Sequence, residues 1–255
     1  MKIQYASDLH LEFVENRDCL KKNPLLIDGD ILVLAGDIGY LGTGYYSVFP
    51  FWDWASENYK QVIVVLGNHE FYNFFDLSGI KDGTCGEIRH NVHYYYNSVV
   101  HIENVDLIIS TLWSHINLKD SFIIESRVND FRRIRYGKDL LNYSEFNKEH
   151  DRCLKFIKKA VSESIAFCKI VVTHHVPSSM LMPEEFKDSE LNGAFTVELL
   201  DYIESSDINY WIYGHSHRNI DAVIGKTKCV SNQLGYVFAN EHHLFMPDKN
   251  IIIEK

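Results

Sequence analysis

Lys2-Ile3-Gln4-Tyr5-Ala6-Ser7-Asp8-Leu9-His10 is the stretch on which the reading of this chain turns: a short, apolar-rich run that leads straight into two residues suited to binding a metal ion. The run has the length and composition of a buried strand. In an extended chain, residues two apart point to the same face, so Asp8 and His10 are expected to reach one ion if strand geometry persists beyond Ala6.

The arrangement recurs. Residues 31–35 lead into Gly36-Asp37, 62–66 into Gly67-Asn68-His69-Glu70, 170–173 into His174-His175, and 211–213 into Gly214-His215-Ser216-His217. The last repeats the spacing of Asp8 and His10, and the same one-face geometry is expected of it. Taken alone, each piece is ordinary turn chemistry, because Asp, Asn and Gly gather wherever a strand gives way to a loop. Five in order, each at the carboxyl end of an expected strand, mean more, because ligands collect at that edge of an α/β sheet.

Between these runs, residues 48–59, 144–164 and 196–204 have helical spacing, so helices alternate with strands. Antiparallel pairing is expected within 94–111, where Asn104 separates two strand-like runs, and within 220–253. The sum is an α/β fold with mixed sheets. No repeat, low-complexity tract or Pro/Ser-rich linker divides the chain, so residues 1–255 are expected to form a single domain. Residues 114–141 interrupt the alternation; polar and carrying Arg127, Arg132, Arg133 and Arg135, they read as a loop or cap over a site.

Composition narrows the function. A formal charge of -10 disfavours binding to a nucleic-acid polymer, whose phosphates demand clustered Lys and Arg. No apolar run approaches the roughly 20 residues of a membrane span, and the N-terminus lacks a basic start followed by an apolar segment. Five cysteines without a CxxC pair argue against a disulfide framework or a cysteine zinc site, and a cytoplasmic setting is expected. Imidazole nitrogen, carboxylate and amide oxygen together suit Zn, Fe or Mn. Asp37, central in the series, is the natural bridge between two such ions, and a bridged pair is suited to clamping a phosphoryl group and activating water.

The series Asp8-Leu9-His10, Gly36-Asp37, Gly67-Asn68-His69-Glu70, His174 and Gly214-His215-Ser216-His217 resembles the calcineurin-like metallophosphoesterase superfamily, whose pattern is D-x-H, G-D, G-N-H-[DE], H and G-H-x-H. No motif position departs from it. The resemblance implies two mixed β-sheets packed as a sandwich flanked by helices, and two divalent metal ions. It implies that Asp8, His10, Asp37 and His217 hold one ion, that Asp37, Asn68, His174 and His215 hold the other, and that His69 is the catalytic acid. It further implies hydrolysis of a small phosphodiester or phosphomonoester; the motif serves both and does not name the substrate, and a phosphodiester is the slightly favoured expectation.

Adjacent residues of a strand face opposite ways, so one of His174 and His175 is the ligand; family usage favours His174, leaving His175 to pack or to meet substrate. Glu70 is expected either to hydrogen-bond behind the ligands or to face solvent or cap. The four arginines and His115 are candidate substrate contacts, and the aromatics 49–54 and 94–96 read as core. The competing class is a non-catalytic partner-binding scaffold of the same fold. Against it stands the completeness of the set, His69 included, which binding to a partner does not require.

Overall fold

The computed structural model describes residues 1–254, with Thr43 by its backbone alone. One six-stranded sheet is built from β1 (Lys2–Ala6), β2 (Ile31–Leu34), β3 (Gln61–Val65), β4 (Thr84–Arg89), β5 (Val92–Tyr96) and β14 (Asn250–Ile252), in the order β14-β1-β2-β3-β5-β4. A second takes β6 (Ser98–Ile102), β7 (Val105–Ser110), β10 (Cys168–Thr173), β11 (Tyr210–Tyr213), β12 (Ala222–Ile224) and β13 (Thr227–Ser231), in the order β12-β13-β11-β10-β7-β6. Each has a parallel centre, β1-β2-β3-β5 and β13-β11-β10-β7, with antiparallel strands at its margins. The expected mixed two-sheet fold is the observed one, and both expected antiparallel regions pair as hairpins or margins.

Why the central strands are apolar throughout follows from the layers. Ile31, Val33, Ile63 and Val65 pack against Leu107, Ile109, Ile170 and Val172 between the sheets. The alternate residues Leu32, Leu34, Val62 and Val64 pack outward with Trp52 and Ala55 of α2 (Pro50–Asn58). On the second sheet, Ile108, Val171 and Trp211 face Ile157 and Val161 of α5 (Tyr143–Glu163). Strands buried on both faces need no polar alternation. Two further helices, α1 (Val14–Lys22) and α6 (Leu200–Ser205), complete the outer layers.

Residues 114–141 are not a loop. They form α3 (Leu118–Arg127), α4 (Asp130–Arg133) and a ribbon of β8 (Arg135–Tyr136) and β9 (Asp139–Leu140), anchored by buried Ile116, Ile124, Phe131, Ile134 and Leu141 in one cluster with Trp113 and Phe146. The polar residues that suggested a loop are the solvent faces of these short elements. Among the described residues, no helix is long and apolar enough to cross a membrane.

Candidate metal centre

The carboxyl ends of β1, β2 and β3 from one sheet meet those of β10 and β11 from the other, and all five motif loops converge there. The loops do not continue the strands. Asp8, His10, Asp37, His215 and His217 have φ of 55°, 47°, 57°, 74° and 52°, the left-handed region that Asp and His enter more readily than most residues. The one-face argument for Asp8 and His10 therefore reached a correct grouping by a wrong route: a backbone reversal, rather than strand alternation, brings them together. For His215 and His217 it gave the wrong grouping. His217 joins Asp8 and His10, whereas His215 joins Asp37 and His174.

Close approach explains the motif glycines. A Cβ on Gly36, itself at φ +91°, would sit 2.4 Å from His174 Nδ1. One on Gly67 would sit 2.3 Å from Asp37 Oδ1, so that glycine is required for space rather than for turning.

Asp37 is the hinge of the arrangement. Its Oδ1 lies 3.2 Å from His174 Nε2, and its Oδ2 lies 3.9 Å from His10 Nε2. On the Oδ1 side, His174 Nε2 is 3.0 Å from Asn68 Oδ1 and 3.1 Å from His215 Nδ1. On the other, His10 Nε2 is 3.0 Å from His217 Nε2, which is 3.4 Å from Asp8 Oδ1.

Every inward-facing imidazole is held from behind by an oxygen. His10 Nδ1 donates to Glu12 Oε1 at 3.1 Å, His217 Nδ1 to Glu241 Oε2 at 2.6 Å, His174 Nδ1 to the Ala35 carbonyl at 2.9 Å and His215 Nε2 to the Ala194 carbonyl at 3.2 Å. These bonds fix ring orientation and leave the inward nitrogen as the donor atom for a cation. Asn68 is set in the same manner: its Nδ2 donates to Asp130 Oδ1 at 2.9 Å, turning Oδ1 toward His174. Glu70 lies buried beneath, accepting the backbone N–H groups of Asp37, Ile38, Gly39 and Gly67, and so ties two motif loops together.

The electrostatics call for cations. Among the described residues, the ion-pair partners of buried Asp8 and Asp37 are histidines, with no lysine or arginine in range. Two buried carboxylates without a fixed counter-charge are costly. Burial works against charge on His217, yet Asp8 and Glu241 raise it to about 10; burial likewise opposes His174, and Asp37 raises it to about 9. Burial drives His215 the other way, to about 3, with the charge of His174 adding to the fall. Asp8, His10 and His217 form one group of donor atoms within 4.8 Å of one another, Asp37, His174 and His215 a second, and His10, Asp37 and His69 a third that links them. With the Asn68 amide oxygen 3.0 Å from His174, these imidazoles and carboxylates fit divalent ions of the Mn, Fe or Zn type.

A family model for calcineurin-like phosphoesterases matches residues 1–219. The chain belongs to that family. Among curated proteins, an uncharacterised protein, L509, of Acanthamoeba polyphaga mimivirus is 28% identical, covering 99% of this chain and 97% of that one. Among solved structures, the phosphopantetheinyl hydrolase PptH of Mycobacterium tuberculosis superposes with a TM-score of 0.71 at 15% identity, covering 99% of this chain and 96% of that one, and so shares the fold. Family membership and the clustered His and Asp side chains support metal-dependent phosphoester hydrolysis as the class of activity, without deciding between phosphodiester and phosphomonoester.

His69 stands beside the metal-binding groups of this phosphoesterase. Its ring stacks on Tyr72 with centroids 4.2 Å apart; Nδ1 is 2.7 Å from Glu12 Oε1, Nε2 is 3.2 Å from Tyr236 Oη and 3.8 Å from Asp37 Oδ2. Burial opposes its charge, but Asp37 and Glu12 outweigh that and raise its pKa. His175, by contrast, is sealed between Trp113 and His215, with ring centroids 5.3 and 4.2 Å away and neither ring nitrogen hydrogen-bonded; it packs. His115 is exposed and lines a separate depression, away from the centre.

Glu12, Glu241, Asp130 and Tyr236 escaped the sequence reading. Glu12 alone carried a signal, since it extends the two-apart series of Asp8 and His10 by one step. A cavity of about 360 Å³ is lined by Asp37, Asn68, His69, His215 and His217 together with Arg127, Asp130, Phe186 and Asn192.

Proposed function

We infer that this chain hydrolyses a small phosphoester with two divalent cations, one held by Asp8, His10, Asp37 and His217 and the other by Asp37, Asn68, His174 and His215. The observation that carries this reading is the placement of the two Asp37 oxygens, each turned to a different histidine cluster. Two ions bound there would supply the charge that polarises the phosphoryl group and makes water a nucleophile near neutral pH.

The residues of the chain do the rest. Asp8, Asp37 and Asn68 provide oxygens whose positions are set by buried hydrogen bonds, so the site is organised before substrate arrives. His69 lines the cavity with Nδ1 engaged by Glu12, so that a proton carried on Nε2 by the charged ring would be placed to stabilise the phosphoryl oxygens and to protonate the departing oxygen. Glu12 keeps that proton in place by holding Nδ1. Phosphodiesters are the first expectation and phosphomonoesters the second, and the cavity of about 360 Å³ extends past the histidines to Phe186 and Leu191, where an organic substituent of either ester would lie.

The test is incubation of metal-stripped protein with Mn²⁺, Fe²⁺ or Zn²⁺, followed by assay of bis(p-nitrophenyl) phosphate beside p-nitrophenyl phosphate, with Asp37→Ala and His69→Ala as controls. Cation-dependent turnover, faster on the diester and abolished in both variants, supports the reading. Protein that binds no ion would return the chain to the non-catalytic scaffold class.

A further inference from the structure

The four arginines of residues 114–141 have different fates. Arg132 donates to the Ser126 carbonyl; Arg133 lies over the Tyr72 ring at 5.6 Å and donates to Tyr40 Oη at 3.3 Å; Arg135 donates to the Gly137 carbonyl at 2.9 Å. Arg127, at the C-terminal end of α3, lines the cavity over the metal centre. Among the described residues no carboxylate lies within ion-pair range of it and no acceptor takes its N–H groups, and it is the one Lys or Arg among the cavity's lining residues.

The carboxylates in the same lining have partners, with the exception of buried Asp130 Oδ2, which has no hydrogen-bond partner. Glu241 accepts from His217 and from the Tyr236 N–H at 2.7 Å, with Arg218 at 3.8 Å; Asp130 Oδ1 accepts from Asn68 and from Tyr72 Oη at 2.7 Å. The same lining includes the apolar side chains of Val128, Phe186 and Leu191. A guanidinium with free donors, in a cavity that it shares with the metal-binding side chains and with these apolar residues, matches a substrate with two separated anionic groups joined by an organic body.

Resting on the phosphoesterase reading, we propose that Arg127 is a specificity determinant that binds a second phosphate of the substrate, so that the preferred substrates are phosphoesters whose leaving group carries a phosphate of its own. Arg127 does not touch the scissile group; it selects by charge and by the two-pronged geometry of guanidinium on phosphate.

Binding to Mn²⁺-loaded protein, measured by calorimetry, compares adenosine 5′-monophosphate with adenosine 3′,5′-bisphosphate in wild type, Arg127→Gln and Arg127→Lys. The bisphosphate is expected to bind about ten- to a hundredfold more tightly than the monophosphate in wild type, the range of one charge-assisted hydrogen-bonded contact. Arg127→Gln is expected to erase that advantage, Arg127→Lys to restore part of it, and bis(p-nitrophenyl) phosphate turnover to stay within about twofold, since that ester has no second anion. Equal affinity for the two nucleotides in wild type, or an advantage that survives in Arg127→Gln, overturns the proposal. Absence of turnover with the nucleotide preference intact would count against the hydrolytic reading and leave the Arg127 contact standing, so the two are separable.

Discussion

The inner and outer halves of the cavity are built on opposite terms. Around Asp37 the side chains are buried, each inward-facing histidine is held by an oxygen behind it, and five residues keep left-handed backbone at roughly 1–3 kcal/mol apiece. Elsewhere in the lining, Arg127 and Asn129 are exposed, Phe186 is 39% exposed, and these residues sit at the ends of short helices. Strain and buried hydrogen bonds are spent where atoms must not move. Selection of substrate is left to a surface that is cheap to alter.

The comparison breaks first at Asp37. Asp37→Ala is expected to lose both ions and to lower kcat/KM by about a thousandfold or more, because one carboxylate serves both clusters. Metal analysis alongside kinetics decides it: retention of two tightly bound ions in this variant would show that the clusters are independent and that Asp37 is no bridge.

Next come the residues that hold the ligands from behind, which separate the two clusters from one another. Asp130→Leu frees the Asn68 amide and is expected to weaken the ion beside His174 and His215 by about ten- to a hundredfold, leaving the other ion tight; Asp130→Asn, which retains an acceptor, recovers most of the loss. Glu12→Gln acts on the opposite cluster through His10 and also loosens His69, so it is expected to lower ion affinity there by a similar factor and kcat besides. Stepwise metal titration by calorimetry reads both. Identical effects of the two variants on both ions would mean general disruption rather than local positioning.

These supporting residues also mark how far the sequence could be read. The ligands were legible because each sits directly after an apolar strand, within a run of one to four residues, and because strands buried on both faces are plain in composition. Asp130 and Glu241 were not, since each reaches its partner across 62 or 24 residues of chain, and a lone carboxylate in a polar segment looks like any solvated one. Left-handed geometry at Asp8, His10, His215 and His217 was equally invisible, which is why spacing alone misassigned the last pair. The pairing of β14 beside β1 is a contact between chain ends that no local pattern encodes.

Protonation sharpens the comparison within the inner half. Each cluster contains one histidine raised above its ordinary value of 6.5, His217 to about 10 and His174 to about 9, while burial lowers His10 and takes His215 to about 3. A raised folded-state pKa contributes stability that is complete below the unfolded value and lost as pH climbs through the folded one. Metal-stripped protein is therefore expected to lose thermal stability between about pH 7 and pH 10, and ion binding at pH 7 to release about two protons, one from each raised ring. Calorimetry in buffers of different ionisation heat counts them. Release of none would mean that the carboxylates are not balanced by these imidazoles.

The smallest effect belongs to the outer half. Phe186 presents a partly exposed ring to the cavity, with the Arg218 guanidinium 5.5 Å above it, and touches none of the metal-binding groups. Phe186→Ala is expected to raise KM a few-fold on substrates with a bulky leaving group, with kcat, ion content and the binding of inorganic phosphate unchanged, because what is lost is apolar contact shared by ground and transition states. A fall in kcat at constant KM would make this wall part of the catalytic machinery. The division between a strained inner half and an adaptable outer one would then have to be redrawn to include the segment that carries Phe186.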